Sequence, residues 1–593
     1  VPNRRANILL IICVLLGWAA APRPAPAASE RLPALLAETP FGLNTHLATR
    51  YTDLNSMDTP AELVAQAGAA WAREDIQWWR VQPTPDSWDW SYTDAAFRAL
   101  IQRGIAIVAV LGHPPGWATP DPNDYPNDIS FAAPDPDRFA AFAAAAAQRY
   151  GRYIRHWEIW NEPDNPLFWR PAPDPPAYAE LLKRASIAIH AAAPDAKVLL
   201  GGINPFNTTF LKQLAQAGAW GSFDILAIHP YVDPATPESG NIIAAADGVR
   251  VLAAQWGARP IWVTEVGWAS GPGDHDPAGL IDEPSQANML ARALLLLWRS
   301  GVERIFWYTL KDDLHNPYGL VALGSGRGDY SRLKPAYYAF QTLARQTNAA
   351  EFVGLRDLFT RTSVLDFEAP GAWRRGDQPN GALGATSQRT HSGSGAVRLD
   401  YSFPSNGNDY VVFRRDRPAP IPGAPYALGM WVYGDGSGHT LKVWLQDARG
   451  ELLQYALGTV GPPGWRLLEA PLGGSVASWN RISPGGDGQL EFPARVAAIV
   501  LDDGDDRFAG SGAIILDDLI AISGPEAYDL QLRRGDTVVD VLWAPEGLRA
   551  AIRSRAANAQ VVAIDGAVST ATASDGKLSF NLGPAPIYVQ HQR

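Results

Sequence analysis

Between Phe41 and Ala344 one pattern repeats eight times: a short, β-branched apolar run, then an Ala- and Leu-rich stretch of helical period. The strand candidates are 41–46, 70–74, 105–111, 156–160, 197–203, 223–229, 260–265 and 304–310. Helices are expected between them, as at 137–150, 176–193 and 285–300. Several strands are apolar throughout, as parallel strands covered on both faces must be. Eight βα units in roughly 300 residues predict a (β/α)8 TIM barrel. A doubly wound open sheet is the alternative, but no G-x-G-x-x-G follows an early strand.

After Lys334 the texture changes. Gly, Pro, Asp and Ser punctuate short alternating runs at 396–402, 427–433, 440–446, 496–501 and 513–522, the texture of an all-β sandwich. A last unit has hairpin-like pieces at 529–533 with 538–543, then 561–564, 577–582 and 587–590. The expected organisation is a barrel over 28–345 and a jelly roll over 357–524. A small β-sandwich is expected from 346–356 together with 525–593. A jelly roll whose ends lie close together can be inserted in a loop at modest entropic cost.

At the N-terminus, Arg4 and Arg5 precede an apolar run from Ile8 to Ala21, and small residues follow to Ala27. Residues 1–27 therefore read as a signal peptide, with an uncleaved anchor as the alternative. This predicts a secreted or extracytoplasmic protein with no stable membrane span in the mature chain. Cys13, in that segment, is the only cysteine, so intrachain disulfides, Cys-rich zinc sites and iron–sulfur clusters are excluded. With 61 acids against 50 Lys and Arg, 61 − 50 leaves a net charge of −11, and no basic patch dominates. Nucleic acid is not the expected partner.

In a barrel, reactive groups belong at the C-terminal ends of strands. Strand two ends Arg73-Glu74-Asp75, strand three Leu111-Gly-His113 and strand four Trp160-Asn161-Glu162-Pro163. Strand six ends His229-Pro-Tyr231, strand seven Thr264-Glu265-Val-Gly-Trp268 and strand eight Phe306-Trp307. Strands four and seven lie on facing sides of an eight-stranded barrel, so Glu162 and Glu265 can converge across its mouth. Glycosidic cleavage needs such a pair, an acid for the leaving oxygen and a carboxylate opposite it. Arg73, His113, His229 and Tyr231 would line the same rim. Trp117, Trp160, Trp169, Trp268 and Trp307 would supply apolar walls. Glu158, one alternation from the motif, is expected to face elsewhere.

The segments 157–169 (WEIWNEPDNPLFW) and 262–268 (WVTEVGW) resemble the acid/base and nucleophile segments of clan A glycoside hydrolases. Asn-Glu-Pro followed by Phe-Trp is most similar to glycoside hydrolase family 39, in its bacterial exopolysaccharide-hydrolase-like members. The resemblance covers roughly 41–345. It implies a retaining hydrolase of polysaccharide or oligosaccharide, with Glu162 as general acid/base and Glu265 as nucleophile. It further implies that Asn161 holds the substrate 2-hydroxyl, that Arg73 and Tyr231 bond Glu265, and that His229 sits near Glu162. His113 would lie near the sugar, with Trp307 as its floor.

No cofactor is expected for catalysis. The jelly roll resembles carbohydrate-binding modules that hold a structural calcium ion, for which Glu368 and Asp517 are the candidate ligands. Trp431, Tyr433, Trp444, Trp465 and Trp479 are candidates for a sugar platform. Two other functions use the same sequence: a non-catalytic secreted glycan-binding protein, and a transglycosylase.

Overall fold

A computed structural model describes residues 39–50, 57–120 and 131–592, apart from 274, 359, 370, 372, 406, 505–507 and 525. The expected signal peptide, 1–27, lies outside the described residues. Among the described residues no helix is long and apolar enough to cross a membrane.

Eight parallel strands form the first sheet: β1 (Phe41–Asn44), β2 (Trp71–Gln77), β3 (Ala106–Gly112), β4 (His156–Ile159), β5 (Lys197–Leu200), β6 (Leu226–Ile228), β7 (Ile261–Val266) and β8 (Arg304–Trp307). Their order is β5-β4-β3-β2-β1-β8-β7-β6. Parallel bridges Leu199–Ile225 and Ile203–Ile228 join the two ends, so the sheet closes into the expected barrel. Helices pack outside it. Pro136–Tyr150 and Pro175–Ala192 start on Asp135 and Asp174, whose side chains accept from backbone amides of the first turn, with Pro just inside each start.

Alternation along the strands layers the barrel interior. At the N-terminal end, Trp71 meets Trp262 edge-on at 5.4 Å and His156 at 5.1 Å, and Phe306 packs beside Trp262. Two residues further along the same strands stand Arg73, Glu158 and Thr264, all buried. The plug is apolar and aromatic, and the layer above it is charged.

Beyond the barrel, β9 (Glu351–Asp357) pairs antiparallel with Tyr528–Arg534, and Asp357 lies directly opposite Tyr528. This sheet continues through Thr537–Trp543, Ile587–Gln592 and Asn558–Val562. Between Asp357 and Tyr528 the chain builds two further antiparallel sheets that share one apolar core, a β-sandwich of the jelly-roll kind. It leans on the barrel's helical side through polar contacts: Lys212 Nζ donates to the Gly504 carbonyl and Asn241 Nδ2 to that of Glu469. Strands Gly381–Thr386, Tyr410–Pro420, Leu452–Thr459 and Trp465–Pro471 belong to the sandwich as well.

Candidate active site

The site grows out of the charged layer, and Arg73 is its hub. Its Nε and Nη2 donate to the two oxygens of Glu158 at 2.7 and 3.1 Å. Nη1 donates to Glu265 Oε1 at 2.5 Å and to Asn44 Oδ1 at 3.0 Å, and Nη2 also to Asn161 Oδ1 at 2.7 Å. A planar fork satisfied on every side has one orientation. Burial opposes its charge, but Glu158 and Glu265 outweigh burial and hold it protonated.

The expectation for Glu158 is corrected. It is fully buried inside the barrel, where it also accepts from Gly202 N and Thr264 Oγ1 at 3.1 Å. The physical reason is where alternation starts. β4 ends at Ile159, so Glu162 lies beyond the pleat, and Glu158 takes its side from His156, which faces the lumen.

Glu265 follows Thr264 directly, yet both reach the lumen network. The pairing of β7 with β8 shifts register between Val263 and Val266. A bulge of this kind re-aims a side chain that regular alternation would send outward. Tyr231 donates its hydroxyl to Glu265 Oε2 at 2.7 Å. Burial raises the Glu265 carboxyl, but His229, Arg73 and the Tyr231 hydroxyl overcome it, and the net direction is below the usual glutamate value.

Glu162 stands opposite. Its Oε1 lies 2.8 Å from His229 Nδ1, and its Oε2 accepts from Asn165 Nδ2 at 2.8 Å. His229 Nε2 is 2.9 Å from Thr264 Oγ1. Thr264 has one hydroxyl proton and gives it to Glu158, so its oxygen accepts from His229 Nε2–H. The contact between His229 Nδ1 and Glu162 Oε1 then holds one further proton, shared by the pair. Burial lowers the His229 imidazolium, yet Glu265 and Glu162 raise it above the ordinary value. Gly202 makes room for this ring: a Cβ there would come within 1.9 Å of His229 Nε2.

One oxygen each of Glu162 and Glu265 and a nitrogen of His229 lie within 4.8 Å of one another. A divalent ion could be held by such atoms, but both Glu265 oxygens already accept from Arg73 and Tyr231, and a guanidinium occupies the cationic position. Backbone strain gathers at the same mouth: His46, His113, Trp160 and Glu162 all have φ between 45° and 72°. Non-glycine residues adopt that region rarely, and functional sites are where such strain concentrates.

Asn161 Oδ1 accepts from Arg73 Nη2, and among the described residues its Nδ2 donor has no partner. His113 sits near Phe131 (5.4 Å), its imidazolium disfavoured chiefly by burial. The tryptophans differ from expectation. Trp169, Trp268 and Trp307 are buried and present no face to solvent. Trp169 packs edge-on against Trp160 at 5.2 Å, and Trp268 and Trp307 lie parallel at 6.1 Å. Their chain folds over them: the Trp268 indole N–H is spent on the Ala235 carbonyl and that of Trp307 on Tyr318. They brace the walls from behind.

Several site residues escaped the sequence reading. Asn44 ends β1 and bonds Arg73, and its Nδ2 donates to the Thr264 carbonyl at 2.9 Å. His46 holds Asp75 at 2.6 Å. Asn-Thr-His at the end of the first strand candidate was the available signal. In the jelly roll, Glu368 accepts from Ser394 N and Oγ and from Gly395 N, and Asp517 from His391 N and Ser392 N. Both carboxylates face one turn, filled by its donors. Trp431, Tyr433 and Trp465 are half-buried and adjoin each other through His391, which stacks on Trp431 at 3.8 Å. Trp444 is buried, and Trp479 is exposed.

A family model described as "Glycosyl hydrolase catalytic core" matches residues 129–337, a span that contains both glutamates. No curated protein matches the sequence. Among solved structures, a family 39 glycoside hydrolase from the gut symbiont Bacteroides cellulosilyticus is 18% identical. It covers 93% of this chain and 80% of its own, with a TM-score of 0.50. An exo-β-1,4-mannosidase from an Opitutaceae bacterium is also 18% identical, over 52% of this chain and 59% of its own, at a TM-score of 0.39. A family 1 β-glucosidase from Thermotoga maritima is 14% identical, over 49% of this chain and 86% of its own, again at 0.39. The chain thus has a clan A-like glycoside hydrolase fold, a catalytic-core barrel followed by β-sandwich domains.

Proposed function

We propose that this chain is a retaining, family 39-like glycoside hydrolase that cleaves polysaccharide or oligosaccharide by double displacement. The observation that carries the reading is the approach of Glu162 and Glu265 oxygens to within 4.8 Å. Retaining enzymes hold their carboxyl groups about 5–5.5 Å apart, whereas inverting ones leave roughly 6.5–9.5 Å for a water.

The roles divide by surroundings. Glu265, held by Arg73 and Tyr231, is the ionised nucleophile. Glu162 shares a proton with His229 and is the acid that protonates the leaving oxygen. When Glu265 becomes esterified its charge is gone, and Glu162 turns base towards the incoming water. Arg73 and Tyr231 orient the nucleophile, and the Asn161 amide is placed to donate to a sugar hydroxyl. Arg73 supplies the positive charge, so the chemistry needs no metal.

The segment 357–524 reads as a module inserted into the small β-sandwich, because the chain leaves that sheet at Asp357 and re-enters opposite it at Tyr528. Its half-buried cluster of Trp431, Tyr433 and Trp465 suits a glycan platform. A structural calcium ion at Glu368 and Asp517 would have to compete with the amide donors of the 391–395 turn. The leading segment 1–27 is read as a secretion signal.

Release of reducing sugar from a panel of polysaccharides and aryl glycosides tests the reading. The Glu162→Ala variant should keep most of its first-step rate on aryl glycosides with good leaving groups, and lose it on natural linkages. Equal loss on both would remove Glu162 from the acid role.

A further inference from the structure

The small C-terminal sandwich holds an open cavity of about 610 Å³ between its main sheet and the hairpin of Leu548–Arg553 with Lys577–Leu582. Its wall includes Arg533, Arg553, Arg555 and His591, together with Gln531 and Ser554. Two of these groups are paired locally. Arg533 pairs with Glu351 at 2.7 Å, and His591 meets Asp540 Oδ2 at 2.7 Å. The side chains of Arg553 and Arg555 have no hydrogen bond or ion pair among the described residues, and Lys577, which pairs with Arg553 in register, is not part of the wall. Asp575, in the same hairpin turn, is not part of the wall. A chain of net charge −11 thus gathers uncompensated like charges on one concave surface. Adjacent like charges repel, and an anionic ligand relieves that repulsion.

The cavity lies far from Glu162 and Glu265. Arg534 donates to the carbonyl of Arg345, and Gln590 bonds Gln346. Both partners are in the last turn of the helix Pro335–Thr347, which follows β8 and returns to the N-terminal end of the barrel. The mouth is at the other end.

We propose that this cavity binds an acidic saccharide through a carboxylate or sulfate group, with Arg553 and Arg555 as the principal contacts. Guanidinium forks match both groups in geometry and charge. Gln531 spends its Nε2 on Asp540 and Ser554 its hydroxyl on the Ala556 carbonyl, so the Gln531 Oε1 is the acceptor turned to a sugar hydroxyl, and the exposed Val353 offers an apolar edge to a ring. The proposal does not rest on the catalytic reading, because a chain without turnover would still bind.

The test is calorimetry on the full chain at physiological salt. The ligands are an oligogalacturonate, a chondroitin sulfate oligosaccharide, a neutral malto-oligosaccharide and a short DNA duplex. At least one acidic saccharide should bind, and the neutral one should not. The double variant R553A/R555A should weaken that binding by roughly tenfold or more, the loss expected from two charged contacts. R553K/R555K should retain most of it, and the melting temperature and aryl-glycoside turnover should stay unchanged in both. Absence of binding by either acidic saccharide, or equal binding by wild type and R553A/R555A, would overturn the proposal. Duplex DNA binding as tightly at the same residues would overturn the saccharide assignment.

Discussion

The two ends of the barrel interior are built from the same strands and do opposite work. At the N-terminal end Trp71, His156 and Trp262 pack ring against ring. Two residues on, in the direction of the chain, Arg73, Glu158 and Thr264 make the charged network on which Glu265 and His229 rest. One pleat converts a core into a site. The lower layer fixes the strands laterally, and the upper layer spends that rigidity on holding a carboxylate in one orientation. Loss at the lower end should therefore appear as stability alone, and loss at the upper end as rate, with stability lost as well where a buried ion pair is broken.

The largest effect should come from Glu265, the proposed nucleophile. Glu265→Ala should reduce turnover by roughly 10⁴-fold or more on every substrate, since no glycosyl-enzyme can form. Steady-state kinetics would check this, and the melting temperature should fall little. A variant that kept substantial turnover would break the contrast at its upper end.

Arg73→Met sharpens it. The substitution leaves Glu158 and Glu265 facing each other without their shared cation, and breaking a buried pair costs roughly 3–5 kcal/mol. The Glu265 carboxyl is held below its usual range by its neighbours, Arg73 among them. A depressed carboxyl contributes stability above its unfolded value and loses it as pH falls through the folded one. In the wild type the acid limb of kcat/KM should therefore lie below pH 4.5, the ordinary glutamate value. In Arg73→Met it should move upward. His229 is raised, so its contribution is complete below 6.5 and disappears as pH rises through the higher folded value. The basic limb should lie above that figure.

Trp262→Ala is the smallest in activity. It opens a cavity in the lower layer and should cost about 3–5 kcal/mol of stability. Per folded molecule, kcat on an aryl glycoside should stay within a few-fold. Denaturant unfolding beside active-site titration separates the two.

Much of this was legible in sequence, and particular residues show why the rest was not. All eight barrel strands are visible, several because buried parallel strands are apolar runs, although β2 and β4 carry charged residues within them. Arg73, Glu162, His229, Tyr231 and Glu265 are visible because strand ends are where barrels put chemistry. Glu158 was hidden because alternation must be counted from His156, within the strand, and not from Glu162, beyond it. Thr264 was hidden behind a bulge that only the pairing of β7 and β8 reveals. Trp169, Trp268 and Trp307 look the same in sequence whether they face sugar or core. Loops that fold over them decide, and nothing local encodes that. In the sandwich, strands such as Gly381–Thr386 carry Gly and exposed positions and leave no apolar trace.

The central claim is that Glu162 and Glu265 act by double displacement, and the most direct measurement is the anomer released first. Proton NMR of an aryl-glycoside digest, recorded before mutarotation, should show the substrate's anomeric configuration in the initial product. An inverted first product would contradict the account.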